Sequence, residues 1–275
     1  MTYQEAVKNG EKVLNLAGIA DAKVDAWLLF EMACKVDRQF YYLHMGEDIT
    51  MEQQKEYEIA LKKRTEHIPL QYIVGEQEFM GLKFKVNSSV LIPRQDTETL
   101  VEEALKKIQP DMKVLDMCTG SGCIIISIIK NVPSAEGYAV DISKQALNVA
   151  KENAKSNEVP VNFERSDLFD NVTGVYDVIV SNPPYIPTAE IPKLMPEVGS
   201  FEPLEALDGK EDGLFFYRKI VAECGSHLKD GGYLLFEIGC EQANDVTTML
   251  RETGFYEVQV VKDLAGLDRV VIGRK

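Results

Sequence analysis

Four consecutive residues in the second half of the chain combine an amide, two prolines and an aromatic ring: Asn182, Pro183, Pro184 and Tyr185. They follow an apolar run that is typical of a strand, and prolines cannot donate the hydrogen bonds of a central strand, so the strand must end here. The Asn182 side-chain oxygen and the Pro183 carbonyl can accept hydrogen bonds, and Tyr185 can stack on a flat ligand. We predict that all four residues bind a planar group that carries an NH2, with Asn182, Pro183 and Tyr185 as the catalytic candidates.

A second candidate site follows the strand-like run Val114–Met117, where the chain enters a turn of small residues. Glycines in such a turn let the backbone approach a ligand closely, and the start of the next helix favours negative charge. The turn alone is a weak signal, because it also occurs in ordinary strand-to-helix connections. The residues predicted to bind a cofactor here are Cys118, Thr119, Gly120, Ser121 and Gly122.

Acidic residues at the ends of the next two strand-like runs strengthen this prediction. Asp141 ends the first run, and a carboxylate in this place can accept hydrogen bonds from ribose hydroxyls. The second run ends before Asp167, which can accept from an adenine amino group, and before Leu168 and Phe169, either of which can pack on the adenine ring. Since such acids line the crevice where open α/β sheets bind ligands, their order predicts an adenosine-bearing cofactor.

Two adenosine-bearing cofactors fit this pattern, NAD and S-adenosylmethionine. Dinucleotide-binding proteins usually carry Gly-x-Gly-x-x-Gly, because the pyrophosphate needs the middle glycine. The segment Cys118–Gly122 does not have that spacing. It is instead similar to the Asp-x-Gly-x-Gly-x-Gly turn of class I methyltransferases, with Cys118 in place of the first glycine. S-adenosylmethionine is therefore the favoured cofactor, and Cys118 is interpreted as a packing substitution rather than a nucleophile.

Composition restricts the remaining classes of function. The 275 residues carry a formal net charge of −14, which disfavours stable nucleic-acid binding, because that depends on clustered Lys and Arg. The five cysteines are scattered, as is typical of reduced thiols in a cytoplasm, and the three distant histidines disfavour a metal site. No apolar run reaches the roughly 18 residues of a membrane-spanning helix, so we expect a cytoplasmic protein without membrane contact.

The hydrophobic pattern of residues 1–66 is helical throughout. Capping boxes at Thr2 and Thr50 begin two of the helices, so the sequence predicts a small all-α bundle. The last of these helices ends in the cations Lys62-Lys63-Arg64. Because cations in a last turn interact favourably with the helix dipole, we interpret them as a helix terminus rather than a binding patch.

The pattern changes twice after this bundle. Residues 67–91 alternate apolar and polar side chains around glycines, which predicts a linking β-hairpin. From residue 92 to residue 275, strands and helices alternate, but the last two strands have no helix between them. The predicted fold class is therefore α/β, with a mostly parallel sheet that ends in an antiparallel C-terminal hairpin.

Three segments upstream of the candidate sites resemble the signature of the HemK/PrmC family, the glutamine N5-methyltransferases of class 1 peptide-chain release factors: Ile68–Gly75, Phe79–Leu82 and Val90–Glu98. The tail segment Asp263–Arg269 is similar to the family's C-terminal hairpin. The family usually has Pro-Glu where this chain has Gln95-Asp96, so the acid is kept and the proline is lost. The resemblance covers nearly the whole chain. It implies a Rossmann-like class I methyltransferase domain that follows the helical bundle in sequence.

The resemblance also implies an activity and a partner. The enzyme would transfer a methyl group from S-adenosylmethionine to the side-chain N5 of the glutamine in the Gly-Gly-Gln motif of a release factor. The N-terminal bundle would help to dock that factor, and Asn182 would contact the cofactor as well as the substrate. We expect a monomer.

Four alternatives remain from the residues alone. A glutamine of a ribosomal protein fits the same motifs. An adenine N6-methyltransferase acting on nucleic acid is disfavoured by the net charge of −14 and by the short helical N-terminal region. A non-catalytic adenosine-cofactor sensor would not need Asn182 to Tyr185, and an NAD-dependent oxidoreductase would need the other glycine spacing.

Overall fold

The computed structural model describes all residues from Met1 to Lys275 and consists of two compact units. Unit 1 comprises Met1–Glu76 and Met195–Phe201, and unit 2 comprises Gln77–Leu194 and Glu202–Lys275. The division at 66/67 and 91/92 made from the sequence remains a proposal. The segment Met195–Phe201, which belongs to unit 1 although it follows the tetrapeptide in sequence, has no counterpart in that division.

The helices and strands alternate as expected from about residue 98 onward. The α-helices are α1 (Tyr3–Leu16), α2 (Ala22–Cys34), α3 (Arg38–His44), α4 (Met51–Thr65), α5 (Leu70–Val74), α6 (Glu98–Leu105), α7 (Cys123–Asn131), α8 (Lys144–Ser156), α9 (Pro196–Gly199), α10 (Leu204–Leu207), α11 (Phe215–Glu223) and α12 (Ala243–Glu252). The strands are β1 (Glu76–Phe79), β2 (Leu82–Lys85), β3 (Lys113–Met117), β4 (Glu136–Asp141), β5 (Val161–Arg165), β6 (Tyr176–Ser181), β7 (Leu228–Glu237), β8 (Tyr256–Lys262) and β9 (Asp268–Arg274). Short 3₁₀ turns occupy Gln95–Thr97, Thr188–Lys193 and Cys224–Ser226.

Unit 1 is a helical bundle, as the sequence predicts. The side chains of Thr2 and Thr50 both close capping boxes, with Glu5 and Gln53 returning the hydrogen bond to the cap backbone. Its core is built on Phe30, which is fully buried and packs edge-on against three other aromatic rings: Tyr3, Tyr41 and Tyr57. Edge-to-face packing of this kind adds to the stabilisation from burial.

The three cations Lys62, Lys63 and Arg64 lie in the last turn of α4, as predicted, but Arg64 has a further role. Its side chain is buried and its Nε donates to Asp25 Oδ2 at 2.7 Å. Its Nη1 also donates to Glu197 Oε1 at 3.0 Å, and His67 Nδ1 lies 3.2 Å from the same oxygen. Arg64 is therefore the cation of a partly buried ion-pair cluster that holds Glu197, from the distant segment Met195–Phe201, within unit 1.

The predicted strand at the start of the linking region is a helix. Residues Leu70–Val74 form α5, and the hairpin is confined to β1 and β2. The physical reason is the spacing of the side chains that reach the core: Leu70, Ile73 and Val74 pack against the apolar cluster of unit 1, which is helical rather than alternate spacing. Gly75, with φ at 86°, then ends the helix in the left-handed conformation.

The main sheet has seven strands in the order β5-β4-β3-β6-β7-β9-β8. The first five run parallel, and β9 is antiparallel to both β7 and β8, so the predicted C-terminal hairpin is confirmed. Met117 of β3 lies opposite Val140 of β4 and Ser181 of β6. Because the chain order reverses at β3, this edge of the sheet is the switch point where open α/β sheets bind ligands.

Both faces of the parallel strands are buried, which explains their continuous apolar sequences. Along β6, Val178 and Val180 belong to the apolar cluster that includes α6 and α7, whereas Ile179 belongs to the cluster that includes α11 and α12. Helix α11 ends at Glu223, and β7 already begins at Leu228. No helix is both long and apolar enough to cross a membrane.

We expect the substitution Arg64→Ala to destabilise the protein by about 3–5 kcal/mol, because it would leave the buried Asp25 carboxylate without its counter-charge. Burial already raises the pKa of Asp25 although the Arg64 hydrogen bond opposes this rise, so removal of Arg64 should make the ionised carboxylate still less stable. Chemical denaturation monitored by circular dichroism measures the change. Lys63→Ala, one residue earlier and exposed, is the control, and an equal loss in both variants would contradict the role of the ion pair.

Candidate active site

A cavity of about 370 Å³ opens in unit 2 at the carboxyl edge of the main sheet. Most of the residues predicted from the sequence line it: Cys118, Thr119, Gly120, Ser121, Asp141, Asp167, Leu168, Asn182 and Pro184. Gly122, Pro183 and Tyr185 do not line it. The two candidate sites, which are about sixty residues apart in sequence, thus border one cavity because their strands pair in the sheet.

The turn after β3 is held by hydrogen bonds to the ends of β3 and β4. The Thr119 hydroxyl donates to Asp116 Oδ2 at 2.6 Å, and its backbone N–H donates to the Val140 carbonyl at 3.0 Å. Three residues of the turn adopt positive φ: Cys118 at 63°, Gly120 at 55° and Gly122 at 80°. Cys118 is the exception, because this conformation is strained for a residue with a Cβ.

Gly122 is required by packing as well as by backbone conformation. A Cβ at this position would lie 2.9 Å from Ile126 Cδ1 and 3.1 Å from Ala150 Cβ. The glycine therefore lets the turn and the start of α7 pack closely against α8. Gly122 therefore has a structural role on the side of the turn that packs against α8. A Cβ at Gly120, in contrast, would meet nothing within 4 Å and would face open space.

Asp141 joins this turn to the end of β4. Its Oδ2 accepts from the Gly120 N–H at 2.8 Å and its Oδ1 accepts from the Ser143 N–H at 2.9 Å. Burial raises the pKa of Asp141, while these two backbone hydrogen bonds oppose the rise. Each carboxylate oxygen has a second lone pair, so Asp141 can hold the turn and still accept from a hydroxyl in the cavity.

The cavity wall beyond Asp141 is mixed in character. Asp167 is exposed and Leu168 is buried, with φ at 46° turning the chain at the end of β5. Phe169, the other residue that could stack on adenine, is instead buried and packs on the half-buried ring of His227, at 4.8 Å between ring centroids. Ile142, which the sequence did not single out, lines the cavity and remains 49% exposed, as an apolar surface for a flat ring would be.

The tetrapeptide follows β6 directly and is held from several sides. The Ser181 hydroxyl donates to the Met117 carbonyl at 2.7 Å, which ties the ends of β6 and β3 together. Gln242 Nε2 donates to the Tyr185 carbonyl at 3.0 Å. A Cβ at Gly213 would lie 2.3 Å from that same carbonyl oxygen, so a glycine is needed there. The rigid turn expected from two prolines is therefore also clamped by its neighbours.

A buried carboxylate that the sequence did not reveal lies behind the tetrapeptide. Glu237 ends β7 and is 2% exposed, and the Tyr185 hydroxyl lies 3.4 Å from its Oε1. Burial raises the pKa of Glu237 to about 7, and burial together with this carboxylate raises that of Tyr185 well above its usual value. The only sign of this residue in the sequence was the position of Glu237 at the end of a strand-like run.

Cys118 does not have the surroundings of a nucleophilic cysteine. Burial, together with the nearby carboxylates Asp141 and Asp116, raises the pKa of its thiol far above the usual value. The thiol therefore stays protonated, and a protonated thiol is a poor nucleophile. The side chain packs on the apolar cluster that contains Met117 and Leu168, in keeping with the interpretation as a packing substitution.

Comparison with known proteins places this fold in a class. The family model of the methyltransferase small domain matches residues 94–195. The crystal structure of a methyltransferase from Pyrococcus furiosus aligns with 71% of this chain and 89% of its own, with a TM-score of 0.54 and 18% identity. The α/β fold with a mostly parallel sheet is that of class I methyltransferases, as predicted.

Sequence comparison then specifies the family. The family model of the PrmC N-terminal domain matches residues 5–75. The release factor glutamine methyltransferase of Geobacter sulfurreducens is 42% identical over 258 residues, which are 94% of this chain and 91% of the relative. That of Koribacter versatilis is 38% identical over 280 residues, covering 100% and 99%. The chain belongs to the family of release factor glutamine methyltransferases, which confirms the resemblance found in the sequence.

The positive φ of Cys118 predicts an unusual order of stability among its variants. Cys118→Gly should be more stable than Cys118→Ala by about 1 kcal/mol, because only glycine relieves the left-handed conformation. Both variants lose the thiol, so urea denaturation of the pair isolates the backbone effect. At Cys123, the first residue of helix α7, the same pair should follow the opposite order by a similar amount. Equal stability of the two Cys118 variants would exclude the strain.

Glu237 predicts a pH dependence of stability. Its pKa is raised from 4.5 to about 7, so between these values the unfolded chain is ionised while the folded protein holds the proton. The free energy of unfolding of the wild type should therefore fall as the pH rises through this window, relative to Glu237→Gln, which cannot titrate. Urea denaturation at both ends of the window measures this difference. Glu241→Gln, at an exposed carboxylate, is the control, and a difference that does not change with pH would contradict the buried titration.

Proposed function

We propose that this protein transfers a methyl group from S-adenosylmethionine to the side-chain N5 of the glutamine in the Gly-Gly-Gln motif of class 1 peptide-chain release factors. The observation that carries the proposal is the full-length similarity to release factor glutamine methyltransferases, 38% identical over 280 residues in one relative. The chain supports the same chemistry, because Asn182 borders the cavity that the strand-end acids also line.

The residues of the cavity fit S-adenosylmethionine. Asp141 keeps free lone pairs for ribose hydroxyls although it already holds the turn. Ile142 and Leu168 offer apolar surfaces for the adenine ring, and Asp167 offers an acceptor for its amino group. The turn from Cys118 to Gly122 would face the methionine part, and Gly120 leaves room for close approach.

The mechanism depends on how the protein treats the substrate nitrogen. The bound cofactor supplies an electrophilic methyl group on a sulfonium. An amide nitrogen is a poor nucleophile, because its lone pair is delocalised into the carbonyl. Asn182 Oδ1 and the Pro183 carbonyl would accept its two N–H bonds, which raises the electron density on nitrogen and fixes the direction of the lone pair. Acceptors that are held in place before the reaction stabilise charge that appears only in the transition state.

Tyr185 and the prolines have supporting roles in this proposal. Tyr185 would pack on the flat amide of the substrate, and Pro183 and Pro184 keep the turn rigid so that the acceptors do not need to reorganise. The amide can lose its proton after methyl transfer, so the reaction requires no dedicated base. Unit 1 would help to dock the release factor, and the active species would be a cytoplasmic monomer.

Asn182→Ala should lower kcat by about 10²-fold or more, the scale of losing one preorganised polar contact. Binding of S-adenosylmethionine, measured by isothermal titration calorimetry, should largely persist, because the turn and Asp141 remain. Asn171→Ala, in the loop after β5 and outside the cavity, is the matched control. Methylation at the wild-type rate by Asn182→Ala would exclude the proposed role of the tetrapeptide.

The substrate is tested by incubating the protein with labelled S-adenosylmethionine and a purified release factor. Label should appear in the factor and should be absent when the glutamine of its Gly-Gly-Gln motif is replaced. Ribosomal proteins and DNA, incubated in parallel, test the two alternative substrates. Label in either of these but not in the release factor would overturn the proposed substrate while leaving the methyltransferase activity intact.

A further inference from the structure

Glu237 occupies a position beside the tetrapeptide that the proposed chemistry does not use. Ser181 of β6 lies opposite Phe236 of β7, so Asn182 and Glu237 are the next residues along two paired parallel strands. Glu237 is 2% exposed, and its Oε2 has no hydrogen-bond partner of good geometry. A buried carboxylate oxygen without a partner destabilises the fold, so its presence beside the tetrapeptide calls for a function.

Glu237 is connected to both ends of the tetrapeptide. The Tyr185 hydroxyl lies 3.4 Å from its Oε1. At the other end, Asn182 Nδ2 lies 3.4 Å from Thr97 Oγ1. Thr97 is 2% exposed and lines the cavity, and its hydroxyl is near enough to the Glu237 carboxylate to lower the pKa of that group, although no hydrogen bond of good geometry joins the two groups in the structure. Rotation of the hydroxyl can bring its proton onto the carboxylate.

The direction of the single Thr97 hydroxyl proton determines how Asn182 is oriented. A threonine hydroxyl has one proton and can otherwise only accept. When an ionised Glu237 accepts that proton, Thr97 Oγ1 must accept from the Asn182 amide, so Nδ2 faces Thr97 and Oδ1 is left for the cavity. An asparagine side chain has no other intrinsic preference between its oxygen and its nitrogen, because the two are nearly equal in shape.

We propose that Glu237, acting through Thr97, sets the orientation of the Asn182 amide, and that both are positioning residues for the methyl-transfer site. The inference rests on the proposed function, in which Asn182 Oδ1 accepts from the substrate NH2. Thr97 lies in the 3₁₀ turn before α6 and Glu237 at the end of β7, so two elements remote in sequence fix the polarity of one side chain.

The same network makes the activity dependent on pH. A protonated Glu237 donates to Thr97, whose own proton is then free to turn towards Asn182 Oδ1, and the amide loses its fixed orientation. The charged and titratable groups that face Glu237 are Arg269 of β9, Asp96 beside Thr97, Tyr185, Cys123 of α7 and Tyr217 of α11. Burial raises the pKa of Glu237 to about 7, so kcat should rise as the pH increases through that value.

The first test separates the Thr97 hydroxyl from the shape of its side chain. Thr97→Val keeps the shape and removes the hydroxyl, so kcat for release factor methylation should fall on the order of tenfold or more, with a smaller change in the KM for the release factor. Thr97→Ser, which keeps the hydroxyl, should restore kcat to within about threefold. Thr247→Val is the control, because Thr247 is similarly buried at 5% exposure but lies in α12, outside the cavity.

The second test uses Glu237→Gln and the pH profile of kcat. The variant should bind S-adenosylmethionine but show a lower kcat, and the rise near pH 7 seen in the wild type should disappear. A wild-type rate for Thr97→Val, or the same pH profile in Glu237→Gln, would overturn the inference. A wild-type protein that methylates no release factor would instead overturn the proposed function, so the two failures are distinct.

Discussion

The parallel pairing of β3 with β4 on one side and β6 on the other is the constraint on which the rest of the site depends. Backbone hydrogen bonds fix Met117 opposite both Val140 and Ser181. Every segment predicted from the sequence to bind a cofactor or substrate follows the end of β3, β4, β5 or β6. The side chains of unit 2 can therefore converge on one cavity although they come from turns that share no sequence motif.

This arrangement also concentrates carboxylates where the sheet excludes water. Asp116 and Glu237 are both almost completely buried, and burial raises the pKa of each to about 7. Asp116 is stabilised by the Thr119 hydroxyl and holds the turn from Cys118 to Gly122. Glu237 has weaker partners and lies behind Tyr185. Buried carboxylates with raised pKa values make the fold less stable. They are typical of functional sites, where a fixed electrostatic environment is more useful than stability.

Unit 1 shows a second use of buried charge. Arg64 pairs with Asp25 in its own bundle and with Glu197 from a segment that follows the tetrapeptide. A buried ion pair of this kind adds less to stability than apolar residues of the same volume would, but losing one partner is strongly destabilising. The pairing gives the segment Met195–Phe201 one defined place in unit 1, which apolar packing alone specifies less sharply.

The sequence by itself determined the strands of the parallel sheet, the capped helices of unit 1 and nine of the residues that border the cavity, because these depend on local periodicity and on motifs such as Asn182–Tyr185. It did not determine that Leu70–Val74 is helical, because a run of five residues fits either period until the core that it packs against is known. It also gave no sign of Arg64 pairing with Glu197, or of Glu237 lying behind the tetrapeptide. Those relations join residues remote along the chain, so only the tertiary structure, through strand register and burial, could decide them.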